Sequence, residues 1–220
     1  MGANVMKLDP IGILCALPGE LGSLRDKSHS SFTRQGLEFR EIDLEGVPLV
    51  ACVGGVGKVF AARAAALLGE CAPRGLLVVG VCGGLRRALV PGTFVHCQQA
   101  VQRDGWPGEG HTSQPDPEWF AAWKRVTPGV PATFLTADRA VFSPLRSIAA
   151  TRGHSGPCVA DMETAAAAAV AVAAGRPWAA LRVVTDQPSF FDPGAFKRNY
   201  EREAGRAANT VPALLSAIPF

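Results

Sequence analysis

Three carboxylates in this chain stand where an acid could do chemistry: Glu20, Glu163 and Asp186. Each follows, or lies beside, a short apolar run that reads as a buried strand. Glu20 comes after Ile11 to Ala16, and Asp186 closes the run from Trp178 to Val184. Glu163 belongs to Asp161-Met162-Glu163, at the head of an Ala-rich stretch. A carboxyl at the mouth of a buried strand is partly desolvated, which disfavours its charged form and raises its pKa. Such a group holds a proton near neutrality and can deliver it to a leaving group. A solvated surface acid is the plainer reading of any one of the three. For Asp186 that reading is weak, because Leu181-Arg182-Val183-Val184 points into a core.

Two glycine-rich stretches lie among these acids. Gly54-Gly55-Val56-Gly57-Lys58 has neither the G-x-x-x-x-G-K-[ST] nor the G-x-G-x-x-G spacing and reads as a tight strand-to-helix turn. Gly80-Val81-Cys82-Gly83-Gly84 could let backbone amides approach a ligand, or simply make a turn. No His, Cys or acid spacing suggests a metal site, and neither a metal nor an organic cofactor is expected.

The elements that must position these residues alternate along the chain. Strands are predicted at Ile11 to Ala16, Val47 to Val53, Leu76 to Val81, Phe94 to Val101, Thr133 to Leu135 and Trp178 to Val184. Helices are predicted at Leu21 to Arg25, Val59 to Cys71 and Met162 to Ala174, the last stopped by Gly175 and Pro177. One or two more are predicted over Phe196 to Ile218, with Pro212 a possible break. Continuous apolar strands between helices imply an α/β sheet covered on both faces. Asp104 to Pro117, rich in Gly and Pro, reads as a long surface loop. No internal repeat or domain boundary is visible, so residues 1–220 are read as one domain. In such sheets ligands sit beyond the carboxyl ends of the strands, which is where the acids fall.

Composition narrows the partners. A net charge of +3 with no basic run longer than two residues disfavours nucleic acid. The longest apolar stretch, Ala165 to Ala174, is too short to span a membrane, and the N-terminus lacks a signal-peptide pattern. Six cysteines without a C-x-x-C pair read as buried small hydrophobes in a reduced, cytoplasmic compartment.

Five of these segments, in order, resemble the methylthioadenosine/S-adenosylhomocysteine nucleosidases of the nucleoside phosphorylase superfamily. Gly12 to Leu17 followed by Glu20 is similar to their opening, and Gly55-Val56-Gly57-Lys58 to their G-[IV]-G-K turn. Gly80 to Leu85 resembles G-S-A-G-G-L, Asp161-Met162-Glu163 resembles E-M-E, and Arg182 to Asp186 resembles R-x-[IV]-S-D. The resemblance implies a three-layer α/β fold around a mixed, twisted sheet. It implies hydrolysis of the N-glycosidic bond of a purine-type nucleoside, without cofactor, in a homodimer. Asp186 would protonate N7 of the base, and Glu20 would activate water with Arg182 helping to place it. Glu163 would bind the ribose hydroxyls and Met162 would pack on the sugar. Val81, Gly83 and Gly84 would line the substrate site. The backbone from Arg139 to Phe142, Val141 included, would flank the base, with Phe142 or a neighbour stacking on it. The loop Asp104 to Pro117, with Trp106, would meet the partner subunit.

Two departures bear on the reaction. Val81 replaces the nucleosidase Ser, and Val78 stands where phosphorylases carry an Arg for phosphate. Valines supply no donor for a dianion, which favours water over phosphate. Futalosine hydrolases and adenosylhopane-cleaving enzymes share the motif set, and the sequence leaves the 5′-substituent open. A nucleoside-binding protein without catalysis, which Val81 would suit, is the rival from another class.

Overall fold

This computed structural model describes residues 8–104, 112–141, 143–189, 192 and 194–218. Strand β1 (Ile11–Cys15) runs into a 3-10 segment, Pro18–Lys27. A meander follows: β2 (Ser28–Arg34), β3 (Leu37–Leu44) and β4 (Val47–Val53). Helix α1 (Lys58–Cys71) leads to the long strand β5 (Gly75–Gly84), then β6 (Phe94–Gln102) and the two-residue β7 (Thr112–Ser113). Next come α2 (Pro117–Val126), β8 (Val130–Thr136), α3 (Pro144–Ala150) and β9 (Cys158–Asp161). The chain ends with α4 (Thr164–Ala173), β10 (Trp178–Asp186), α5 (Ala195–Glu203) and α6 (Val211–Leu215).

All ten strands join one mixed sheet in the order β10-β6-β8-β9-β5-β1-β4-β3-β2, with β7 on β6. β10 also pairs with β5, so that β5, β9, β8, β6 and β10 curl into a closed ring. Parallel register sets Ile13 beside both Ala51 and Leu77, and Val183 beside Val81.

Alternation across the strands decides the layers, because successive side chains leave a strand on opposite faces. On β5, Leu76 and Val78 join one core, and Leu77 and Val79 the other. On β10, Ala180 and Val184 face the first core, while Ala179, Leu181 and Val183 face the second. Helices α1 and α4 cover the first face with Ala64, Leu68, Ala167 and Ala168. The second is covered by Trp119 and Trp123 of α2, Leu214 of α6, and Leu21 and Leu24 of the 3-10 segment. The expected three-layer α/β arrangement with helices on both sides is therefore the one observed.

Local differences have local causes. The β2–β3 pair, absent from the sequence reading, is polar on most positions and buries little beyond Phe39, Ile42 and Leu44. Phe32 and Phe39 stack across it at 5.2 Å. The two-residue turns Gln35-Gly36, between β2 and β3, and Glu45-Gly46, between β3 and β4, have positive φ at both positions. That matches the type I′ hairpin, so the X-Gly dipeptides were the usable signal. Helices α2 and α3 also escaped the sequence reading. Within the expected loop at 104–117, Asp116 accepts from the backbone N–H groups of Glu118 and Trp119 and caps α2. The predicted helix at Met162 begins at Thr164, with Met162 and Glu163 in the bend before it. Pro212 sits in the first turn of α6 and opens that helix instead of breaking one.

Candidate active site

β1, β5 and β10 are parallel neighbours, so their carboxyl ends emerge on one edge of the sheet. A cavity of about 310 Å³ opens there. Glu20 enters it from the segment after β1, Val81 and Gly83 from β5, and Arg182 and Asp186 from β10. The short β9 ends beside β5, which delivers Asp161, Met162 and Glu163 to the same wall.

Glu20 is fully buried, and its carboxylate is gripped by backbone. Oε2 accepts from the N–H groups of Ala16 at 2.8 Å and Leu17 at 2.9 Å. Oε1 accepts from the N–H of Val81 at 2.9 Å. The approach requires glycine next door, since a Cβ on Gly80 would lie 2.4 Å from Oε1. Burial pushes the Glu20 carboxyl above its ordinary range, against the pull of Arg182 and the three N–H donors.

Arg182 is likewise buried and ties three elements together. Its Nε lies 3.1 Å from Asp161 Oδ2 and donates to Thr164 Oγ1 at 3.1 Å. Nη1 donates to the Val81 carbonyl at 2.8 Å, and Nη2 to Glu163 Oε2 at 3.1 Å. Asp161 in turn accepts from the Thr136 hydroxyl and from the Thr164 N–H at the start of α4. Burial alone would lower the guanidinium pKa, but Asp161 and Glu163 hold it above its ordinary value. Glu163 completes its coordination through Oε1, which accepts from the N–H of Gly57 at 3.0 Å. Gly57 (φ 108°) therefore does more than turn the chain into α1: it presents an amide to a site acid. Burial raises the Glu163 carboxyl, with Arg182 opposing and Asp161 assisting.

Asp186 is placed by an irregularity. β10 and β5 run in register as far as Val184 opposite Cys82, then shift, so that Asp186 faces Gly83 and Thr185 has no opposite residue. Asp186 Oδ1 accepts from the Thr185 hydroxyl at 2.7 Å. Burial raises its pKa, with that single bond opposing. The difference from Glu20 is chemical: three amides favour the ionised form of Glu20, and one hydroxyl does so for Asp186.

The structure thus brings Glu20, Asp186, Arg182, Met162, Glu163, Val81, Gly83 and Val141 to one cavity. Gly84 lies one residue beyond the lining, where a Cβ would meet the Leu89 carbonyl at 2.4 Å, a packing constraint. Phe142 and Trp106 lie outside the described residues. Val81 touches the charged groups of the site through its backbone, donating to Glu20 and accepting from Arg182. Val78 is buried in the core, away from the cavity lining. Ala140, within the stretch expected to flank the base, is in the lining; sequence reasoning assigned no role to Thr185, Val56 and Phe196 in the lining, or to Thr136 and Thr164 behind it. The threonines offered a faint signal, as hydroxyls at the ends of apolar strands. Lys58 spans the rim, 2.5 Å from Asp104 and 3.2 Å from Asp138. Among the described residues no cluster of His, Cys and acids could hold a metal ion, and no helix is long and apolar enough to cross a membrane.

Comparison with known proteins places the fold. The chain is similar in structure to an S-adenosylhomocysteine nucleosidase of Streptococcus pyogenes, with 22% identity and a TM-score of 0.90, over 98% of this chain and 100% of that one. A 5′-methylthioadenosine/S-adenosylhomocysteine nucleosidase of Neisseria meningitidis has 20% identity and a TM-score of 0.88, over 96% and 100%. A futalosine hydrolase of Helicobacter pylori has 19% identity and a TM-score of 0.88, over 96% and 98%. At such identities these likenesses speak for the fold. The sequence model of the phosphorylase superfamily matches residues 10–218, and the chain belongs to that superfamily.

Proposed function

We propose that this protein hydrolyses the N-glycosidic bond of a purine-type nucleoside. The observation that carries the reading is the convergence of Glu20, Glu163 and Asp186 on one cavity, with different hydrogen-bonding around each acid. Asp186, raised by burial and held by one hydroxyl, protonates the departing base at N7. Glu20, whose ionised form three backbone amides favour, takes a proton from water, whose oxygen bonds to the ribosyl carbon as the C–N bond breaks. The products are free base and free sugar. Positive charge on the sugar faces Glu163, which also accepts from the ribose hydroxyls, while Met162 packs against the ring. Arg182 keeps Glu163 and Asp161 in place; each of its nitrogens already has a protein partner.

Water is the nucleophile this cavity favours. Arg182 is the single cationic side chain among the described lining residues, and the acids Glu20, Asp161 and Glu163 around it disfavour a phosphate dianion. Val56, Val141 and Phe196 make the outer wall apolar and favour an uncharged 5′-substituent. We place the enzyme in a homodimer, as the resemblance implies. The support is apolar surface on α1 (Val59 78% and Phe60 51% exposed) and α3 (Leu145 and Ile148, both 70%).

The test is a product screen. Methylthioadenosine, S-adenosylhomocysteine, adenosine, inosine and futalosine are incubated with the protein, with and without phosphate. Free base and free sugar without phosphate are expected. Base released only with phosphate makes the protein a phosphorylase, and binding without base release makes it a sensor.

A further inference from the structure

The register shift that aims Asp186 leaves Thr185 without an opposite residue on β5, and the pairing with β6 ends before it, at Val183. Thr185 is fully buried, so its carbonyl needs a partner from elsewhere. That partner is a side chain: Asn199 of α5 donates from Nδ2 to the Thr185 carbonyl at 2.7 Å. The amide is itself oriented. Arg202 donates to Asn199 Oδ1 at 3.2 Å, which fixes the carbonyl end and turns the NH₂ toward β10. Arg202 is anchored in turn by the buried Glu203, 2.5 Å from its Nε.

We propose that Asn199 is a positioning residue for Asp186: it supplies the hydrogen bond that the sheet leaves open at the shift, and so fixes the direction in which the next residue enters the cavity. The proposal rests on the reading of Asp186 as the acid. Its neighbours on the same helix face fit the role, since residues three and four apart share a face. Phe196 reaches the cavity lining, and Tyr200 lies against the turn that carries Glu20, where a Cβ on Gly19 would be 3.0 Å from the phenol oxygen. The two rings sit 5.5 Å apart. Helix α5 therefore rests on both acid-bearing segments, and Asn199 is its hydrogen bond to the strand that ends in Asp186.

Without the donor, the Thr185 carbonyl loses its partner, and the Thr185–Asp186 peptide keeps only the tie of the Thr185 hydroxyl to the Cys82 carbonyl at 3.2 Å and the pairing of Asp186 with Gly83, so the carboxyl can tilt toward water. The charged groups of the cavity (Glu20, Asp161, Glu163 and Arg182) make no hydrogen bond to Asn199, and Lys197, Arg198 and Glu201 of α5 face solvent. Arg202, which loses its contact with Asn199 Oδ1, lies outside the cavity lining and stays paired with Glu203. A shift in the titration of Asp186 would thus report its position.

The experiment compares Asn199→Leu and Asn199→Ala with wild type. The first keeps the bulk, and the second is the safest residue for a helix. The expected result is a kcat lowered roughly ten- to hundredfold, with KM within about threefold, since a small misplacement of a reacting group is that costly. In the substrate-free proteins, the ¹³C carboxyl signal of Asp186 is expected to titrate at lower pH than in wild type, because the acid becomes more solvated. A helix-docking role alone would lower Tm and leave the titration and the pH profile unmoved; that outcome overturns the proposal, as does wild-type kcat in a folded variant. If the wild type itself releases no base, the proposed function fails, and the carboxyl titration still decides the role of Asn199.

Discussion

Replacing Asp186 by Asn separates catalysis from stability. The amide keeps the size of the carboxyl and the Oδ1 acceptor that takes the Thr185 hydroxyl at 2.7 Å. Its Nδ2 can still donate to the base nitrogen but has no proton to transfer. Binding therefore survives, with KM within a few-fold. The chemical step loses general acid help worth roughly 10²–10⁴-fold, or about 2.7–5.4 kcal/mol of barrier. Because Asp186 is reactive when protonated, wild-type kcat/KM falls as pH rises through its raised pKa, and Asp186→Asn lacks that limb. The stability effect runs the other way. A carboxyl whose folded pKa lies above its unfolded value makes the fold less stable as pH rises from the unfolded pKa through the folded one. Removing it should stabilise the protein at neutral pH and have no such effect well below the ordinary carboxylate range. The assays are base release followed over pH 4–9, and urea unfolding at neutral and acidic pH. Wild-type turnover in the variant would refute the assignment; unchanged stability at neutral pH would refute the account of burial at β10.

Other changes give distinct signatures. Glu20→Gln should abolish release of free sugar, checked by sugar assay, because water loses its base; it also turns an NH₂ against the Val81 N–H or the Ala16–Leu17 pair. Glu163→Gln should raise KM and lower kcat together, since the acid meets hydroxyls in the ground state and charge in the transition state; a change in KM alone would count against it. Arg182→Met leaves Asp161 and Glu163 buried without their cation and should cost about 3–5 kcal/mol in urea unfolding, a cost ruled out if the midpoint barely moves. Burial raises the thiol pKa of Cys15, Cys82 and Cys97, and that of Cys52 to about 12. These four should resist iodoacetamide at pH 8 in the native protein and react once it is unfolded, as peptide mass mapping would show.

The apolar runs of β1, β5 and β10 were legible because a strand covered on both faces must be apolar throughout, and an acid stood at the end of β10 and shortly after β1. That local fact was enough to select Glu20 and Asp186, and the order of the motifs was enough to select Glu163 and Arg182. The β2–β3 hairpin was not legible from burial, because a polar, half-exposed ribbon lacks the apolar signal; its Gln35-Gly36 turn, and the Glu45-Gly46 turn that leads β3 into β4, carried the information instead. Electrostatics belonged to the tertiary structure. Nothing in the sequence says that Arg182 lies between Asp161 and Glu163, or that Glu20 is held by amides from two separate strand ends. Those contacts join residues as far as 101 positions apart, as between Arg182 and the Val81 carbonyl, and only the pairing of β1 with β5 and the closing of β10 onto β5 make them. The same closure explains how Val81 can lack a hydroxyl and still serve the site: its backbone carries the contacts, and a backbone contact leaves no trace in residue type. The direction of Asp186 was beyond the sequence for a related reason, since a one-residue shift in register is a property of two strands and the helix that packs on them, not of either strand alone.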